Sequence, residues 1–190
     1  MLDPTLLKQH FDAALPYHDY VATGTADQQK AWDDVFRRAE LSDSQRELVG
    51  SFTRDIRILV SSGVWCGDCV QQCPFLGRIA EANPDRVHLR LIDRDDAPEL
   101  TPHLKVCGGT RVPVAVFMAE DFEPVSIFGD RTLARYRAMA ARNLGPSCPI
   151  PGASLDRDEL HATLQDWLDE TERCHLILRL STRLRQKHAD

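Results

Sequence analysis

Trp65-Cys66-Gly67-Asp68-Cys69 follows closely on a short aliphatic run, Ile56 to Val60, that stops at Ser61-Ser62-Gly63. Such a run predicts a buried strand, and the Ser-Ser-Gly stop predicts that it ends there. A helix starting near Cys66 then holds both cysteines within its first turn, with backbone N–H groups that have no partner of their own beside the first sulfur. Those groups favour a thiolate on Cys66, while the spacing brings Cys69 within bonding reach. The pattern is that of a dithiol: Cys66 attacks a disulfide, and Cys69, one turn inward, resolves the mixed disulfide.

The residues around this junction predict a mixed sheet of about four strands flanked by helices. Val87, Leu89 and Leu91 alternate after Asn83-Pro84-Asp85 and predict a second strand over 87–92, followed by a short polar, helical stretch over 95–105. Val112 to Met118 and Val125 to Phe128 predict two more strands in a hairpin. Arg131 to Asn143 predicts a helix with Leu133, Tyr136 and Ala140 inward. The order strand, helix, strand, helix, strand, strand, helix gives an α/β core over 54–145.

Helical additions are expected at both ends of this core. Asp3-Pro4 before Leu6, Leu7, Phe11 and Ala14 predicts a first helix, and Trp32, Val35, Phe36 and Ala39 a second after a loop at 23–25. Ser42 with Gln45 is a capping box ahead of Leu48, Val49 and Phe52. Residues 1–53 thus read as a helical extension packed on the core. The prolines at 146, 149 and 151 predict a stiff connector, and one long helical segment closes the chain over 146–190. Its seam of Leu160, Leu164, Trp167, Thr171, Cys174 and Leu178 is expected to pack on the core rather than on a second copy.

The strand, the cysteine motif and a later Val-Pro turn together carry a family resemblance over about 54–143. Trp-Cys-Gly-x-Cys, with Pro74 five residues after Cys69, resembles the active site of thioredoxins, and Arg111-Val112-Pro113 resembles the loop whose proline is cis and faces the active-site cysteines. Asp68, Ile92-Asp93-Arg94-Asp95 and Gly108-Gly109-Thr110 resemble a bacterial thioredoxin-like group. The resemblance implies a thiol-disulfide oxidoreductase, with Trp65, Val112 and Pro113 forming the apolar surface that meets the substrate around Cys66. It also implies that Pro74 kinks the active-site helix. Two positions depart from the family pattern. Val60 stands where a buried aspartate is usual, and Leu89 where a lysine is usual, so the ordinary proton acceptor for Cys69 is missing.

Gly67 and Asp68 occupy the two positions that tune the thiols. A carboxylate about 7 Å from Cys66 raises the thiol by about one pKa unit at an effective dielectric of about 20–40. The helix start acts in the opposite direction, by about 0.3–1 kcal/mol. The net expectation is a reductant, against the alternative that Asp68 is a solvated carboxylate without influence. Cys73 and Cys107 read as packing residues first and redox thiols second; Cys148 and Cys174 read as surface or packing residues. His103 near the Val-Pro loop reads as solvated rather than catalytic.

The formal charge of −6 carries no nucleic-acid or polybasic membrane footprint. With no leader-like start and no long apolar stretch, a cytoplasmic address is expected, where clustered cysteines serve catalysis or metals rather than a disulfide framework. The exchange itself needs no cofactor; the partners are a disulfide-bearing protein or small molecule and an electron donor, a reductase or small thiol. Two other readings stand beside this one. One is a thioredoxin-like binding module with an idle dithiol; the other is a metal or iron-sulfur site on Cys66, Cys69, Cys73 and Cys107.

Overall fold

The computed structural model describes residues 2–144 and 159–190. The expected connector, with Cys148, Asp156 and Asp158, therefore lies outside the described residues. Four strands, β1 (Ile56–Ser62), β2 (Val87–Asp93), β3 (Val114–Met118) and β4 (Pro124–Gly129), form one sheet in the order β2-β1-β3-β4. β1 and β2 run parallel with Ile58 opposite Leu89, whereas β3 lies antiparallel to both β1 and β4. This is the expected mixed sheet of an α/β thioredoxin-like fold, with helices on both faces.

Strand alternation divides the apolar residues between two layers. Ile56, Ile58 and Val60 of β1 join Leu89, Leu91, Ala115 and Phe117 on one face, together with Trp32, Leu76, Ile79 and Trp167 from the helices. Leu59, Ile92, Val114, Val116 and Met118 point to the other face and meet Leu7, Phe11, Leu100 and Leu104. Helix α1 (Pro4–Ala13), capped by Asp3, covers that second face with the short 3-10 turns Arg94–Asp96 and Thr101–His103.

Helices α2 (Tyr17–Ala22), α3 (Ala26–Arg38) and α4 (Asp43–Gly50) bring Tyr20, Trp32 and Val49 to the first face. The capping box at Ser42 and Gln45 is present, and a second one, Thr25 with Gln28, starts α3. The loop expected over 23–25 is only a tight turn after α2, a helix that sequence periodicity did not reveal. Trp32 is fully buried and donates its indole N–H to the Val64 carbonyl at 2.9 Å, so it anchors the segment that leads into the cysteine motif.

Three expectations about helices need correction. Pro74 does not kink one continuous helix. Instead α5 (Gly67–Val70) ends, Gln71 and Gln72 intervene, and α6 (Cys73–Ala82) begins with Pro74 in its first turn, where its missing N–H has no helical partner to lose. Helix α7 (Leu133–Leu144) buries none of its residues; Leu133 is 55% and Tyr136 40% exposed, and the helix packs chiefly on another helix. The final helical segment is two helices, α8 (Glu159–Leu180) and α9 (Thr182–His188), divided where Ser181 caps the second. Leu164, Trp167, Thr171, Cys174 and Leu178 of the predicted seam are buried on the core, with Leu160 packed at its edge.

Candidate active site

Cys66 occupies the N-cap position of α5, at the end of the loop leaving β1, and its N–H donates to the Gly63 carbonyl at 2.9 Å. It is half-buried, while Cys69, in the same turn, is fully buried. The neighbouring Cys69 thiol disfavours a thiolate on Cys66, and the backbone N–H groups of Cys69 and Asp68 favour it. All five cysteines among the described residues are free thiols.

The peptide bond between Val112 and Pro113 is cis, and the Val112 carbonyl accepts from the Cys66 thiol at 3.7 Å. The structure thus brings Cys66, Cys69, Val112 and Pro113 together. Val112 and Pro113 are themselves buried, so this loop presents backbone to the site rather than the apolar surface expected of it. Trp65 is different: its indole is half exposed, lies against Gly63, and has the Arg94 guanidinium 5.2 Å from its ring centre. A Cβ at Gly63 would sit 2.7 Å from that indole, so only glycine lets the ring fold back over the loop. Gly129 is constrained in the same way, since at φ +145 its missing Cβ would meet the Pro113 carbonyl oxygen at 2.5 Å.

Asp68 is neither solvated nor an unscreened charge. Its carboxylate is clamped by both arms of Arg131, one at 3.0 Å, and is 3.4 Å from Arg135. Arg131 also donates to Asp130 at 3.0 Å, as does Arg111 at 3.2 Å, and the Tyr136 hydroxyl closes on the same carboxylate. Burial alone would raise Asp130, but Tyr136, Arg111 and Arg131 outweigh it and hold the carboxyl below its usual range. Arg135 reaches Glu159 at the start of α8, so one ionic chain runs from Asp68 to the C-terminal helix. Behind it, buried Gln72 donates to the carbonyls of Asp68 at 3.2 Å and Asp130 at 3.0 Å and accepts from the Thr132 N–H. Gln72 thereby ties the break between α5 and α6 to the loop after β4.

Residues 14–142 match the family described as thioredoxin. The chain belongs to the thioredoxin family. Its fold is also similar to that of a protein of unknown function from Pseudomonas aeruginosa, with a TM-score of 0.66 at 20% identity over 86% of this chain and 93% of the other. An HIV epitope-scaffold protein gives a TM-score of 0.68 at 19% identity, over 88% of this chain and 95% of its own. Comparison with curated proteins gave no match.

In this chain both departures from the family pattern are apolar and buried: Val60 and Leu89 belong to the core on the cysteine side of the sheet. A polar group near the buried thiols is Ser62, fully buried at the end of β1, with its hydroxyl 3.8 Å from the Cys73 sulfur. The strand does not stop at Ser61-Ser62; both serines pair with β2, which is what carries Ser62 inward. The Cys66 thiol is held above the ordinary range, first by its hydrogen bond with Cys69, then by burial and by repulsion from a Cys69 thiolate; the N–H groups of Cys69 and Asp68 pull the other way. Burial pushes Cys69 up as well. Asp68, which was expected to raise the Cys66 thiol by its charge, has that charge offset by the arginines.

Cys107 does not join the other cysteines. It is exposed in a turn where Cys107 and Gly108 both have positive φ, closed by hydrogen bonds between Val106 and Gly109. Among the described residues, no group of three or more His, Cys, Asp or Glu side chains assembles as a metal-ligand set, so the iron-sulfur reading finds no site. His103 ends an exposed 3-10 turn. Ser62, Gln72, Asp130, Arg131 and Arg135 were not picked out from the sequence. The only local signal was the Gly129-Asp130-Arg131 turn after β4, which marks a loop but not what it faces.

Proposed function

We propose that the protein is a thiol-disulfide oxidoreductase that reduces disulfides of proteins or small molecules. Cys66 forms a mixed disulfide with one substrate sulfur and releases the other; Cys69 then attacks the Cys66 sulfur, freeing the second substrate thiol and leaving a Cys66–Cys69 disulfide. A reductase or small thiol returns the pair to the dithiol. The single observation that supports this reading best is the half-buried Cys66 thiol at the start of α5, with Cys69 in the same turn, seated against the Val112 carbonyl. Both thiols being held above the usual range favours a reductant, because a poorly stabilised thiolate makes the dithiol readier to give up electrons. No described helix is long and apolar enough to cross a membrane, and we take a reducing cytoplasm as the setting for free thiols.

The test is mixed-disulfide trapping. Cys69→Ser should retain disulfide substrates on Cys66, releasable by dithiothreitol, and Cys66→Ser/Cys69→Ser should retain none. Equal capture by both variants would defeat the assignment. An unchanged biological activity in Cys66→Ser would favour the binding-module reading instead.

A further inference from the structure

Positive charge gathers on the face of the sheet turned away from the cysteines. Arg57 of β1 stands opposite His88 of β2, and Leu59 opposite Arg90. Strand alternation therefore sets Arg57, His88 and Arg90 side by side on the face that carries Leu59 and Ile92. All three are partly exposed, and with Phe11 of α1 they line one cleft of about 370 Å³. The guanidiniums of Arg57 and Arg90 lie 5.7 and 5.9 Å from the centre of the Phe11 ring, and Arg57 lies 4.8 Å from that of Phe122.

The polar contacts of the two arginines go to backbone. Arg57 Nε donates to the Glu120 carbonyl at 3.1 Å and Arg90 to the Ala14 carbonyl at 3.3 Å. Among the described residues, neither arginine nor His88 has a carboxylate at ion-pair distance. The acids around them are committed elsewhere: Asp55 to Arg86 at 2.8 Å, Asp12 to Lys8, and Glu120 to Lys187 and to His188 at 2.9 Å. Glu81, which lines the cleft from α6, is paired with Arg78 and His18, each at 3.1 Å.

A guanidinium beside a ring still presents its N–H edge, and the fork of an arginine matches the oxygens of a phosphate. A carboxylate would answer only one of the two arginine charges, whereas a phosphate monoester, at about −1.5 to −2 near neutral pH, answers both. The cleft is larger than a bare phosphate needs and falls within the roughly 300–1,000 Å³ of small-molecule sites. Beyond the cations its walls include Pro16, Pro84 and Val87, which suit an apolar group.

We infer that Arg57, His88 and Arg90 form a binding site for a small organic phosphate, with the phosphate on the two arginines and the imidazole and the organic part against Pro84 and Val87. The site stands apart from the dithiol, because Arg57 lies at the start of β1 and Cys66 beyond its end.

Titration of the full chain at fixed ionic strength, followed by amide NMR shifts, tests this with phenyl phosphate and inorganic phosphate as probes. Phenyl phosphate should bind saturably, move the amides of Arg57 and of residues 88–90 most, and bind about tenfold tighter than inorganic phosphate. Arg57→Gln and Arg90→Gln should each weaken it about tenfold or more, while Arg46→Gln, at an exposed arginine on α4, leaves it unchanged. The shift map of the unsubstituted chain keeps the test decisive if a substitution disturbs the packing around Phe11. Shifts that do not saturate, or that centre on Arg111 and Arg131, would overturn the inference. Undiminished binding by folded Arg57→Gln and Arg90→Gln chains, or equal affinity for the two probes, would overturn it as well.

Discussion

Arg131 stands between two carboxylates, Asp68 and Asp130, so the acidic residue inside the motif does not face Cys66 as a bare charge. In Asp68→Asn the Arg131 guanidinium loses its nearest anion and Arg135 keeps only Glu159, so their charge acts on the thiol and its pKa should fall. Arg131→Gln unmasks Asp68, and the pKa should rise. Each shift should be on the order of one pKa unit, about 30 mV if carried wholly into the potential of the pair. Alkylation rate against pH in a Cys69→Ser background, where one active-site thiol titrates, reads the shift; coincident profiles for the two variants would refute this account. Cys66, Cys69 and the cis loop were legible because they lie within short motifs. Arg131, Asp130 and Gln72 were not, because their partners lie about 60 residues away and nothing local announces them.

At the scale of elements, α8 is held to the core by shape and by one histidine. Trp167 is fully buried with its ring edge-on to Phe128 of β4 at 5.0 Å, so Trp167→Ala should cost about 3–5 kcal/mol in chemical denaturation. His175 accepts the Thr53 N–H at 3.0 Å and stacks on Phe52. Burial, and then the positive charges of Arg179 and Arg54, depress its pKa. The unfolded chain therefore binds the proton first, and stability falls as pH drops below about 6.5 toward the folded value. His88 is depressed by burial as well and acts with the same sign. Wild-type urea midpoints should decline through this mildly acid window, and His175→Gln, which keeps an acceptor without titrating, should flatten part of the decline. An identical slope in the variant would count against it. Elements with a buried stripe, such as β1, α3 and α8, were readable from periodicity. Helix α7 was misread because an amphipathic pattern says that a face is apolar, not that the sheet lies beneath it.

For the whole molecule, the C-terminal helices are part of the core rather than an appendage. Leu164, Trp167, Leu168, Cys174, Leu178 and Leu184 are all buried in the cluster that also holds Ile58, Phe75 and Leu76. At about 1.5–3 kcal/mol for each large apolar side chain, their burial is comparable to a typical total stability of about 5–15 kcal/mol. A chain ending at residue 158 should therefore lose cooperative unfolding and bind a hydrophobic dye; a sharp two-state transition in that truncation would contradict this. Buried Arg54 adds a further tie by pairing with Asp190 at the end of the chain. From the sequence alone came the strand-to-helix junction that presents Cys66 and Cys69, the alternating strands of a mixed sheet and the Val-Pro turn, all consequences of local sterics and period. Only the tertiary structure decided the setting of those thiols: Ser62 buried at the end of β1 against Cys73, and arginines from beyond β4 neutralising Asp68. Each of these depends on which distant side chains share a buried space, and charge and hydrogen bonding in such a space are set by neighbours in three dimensions.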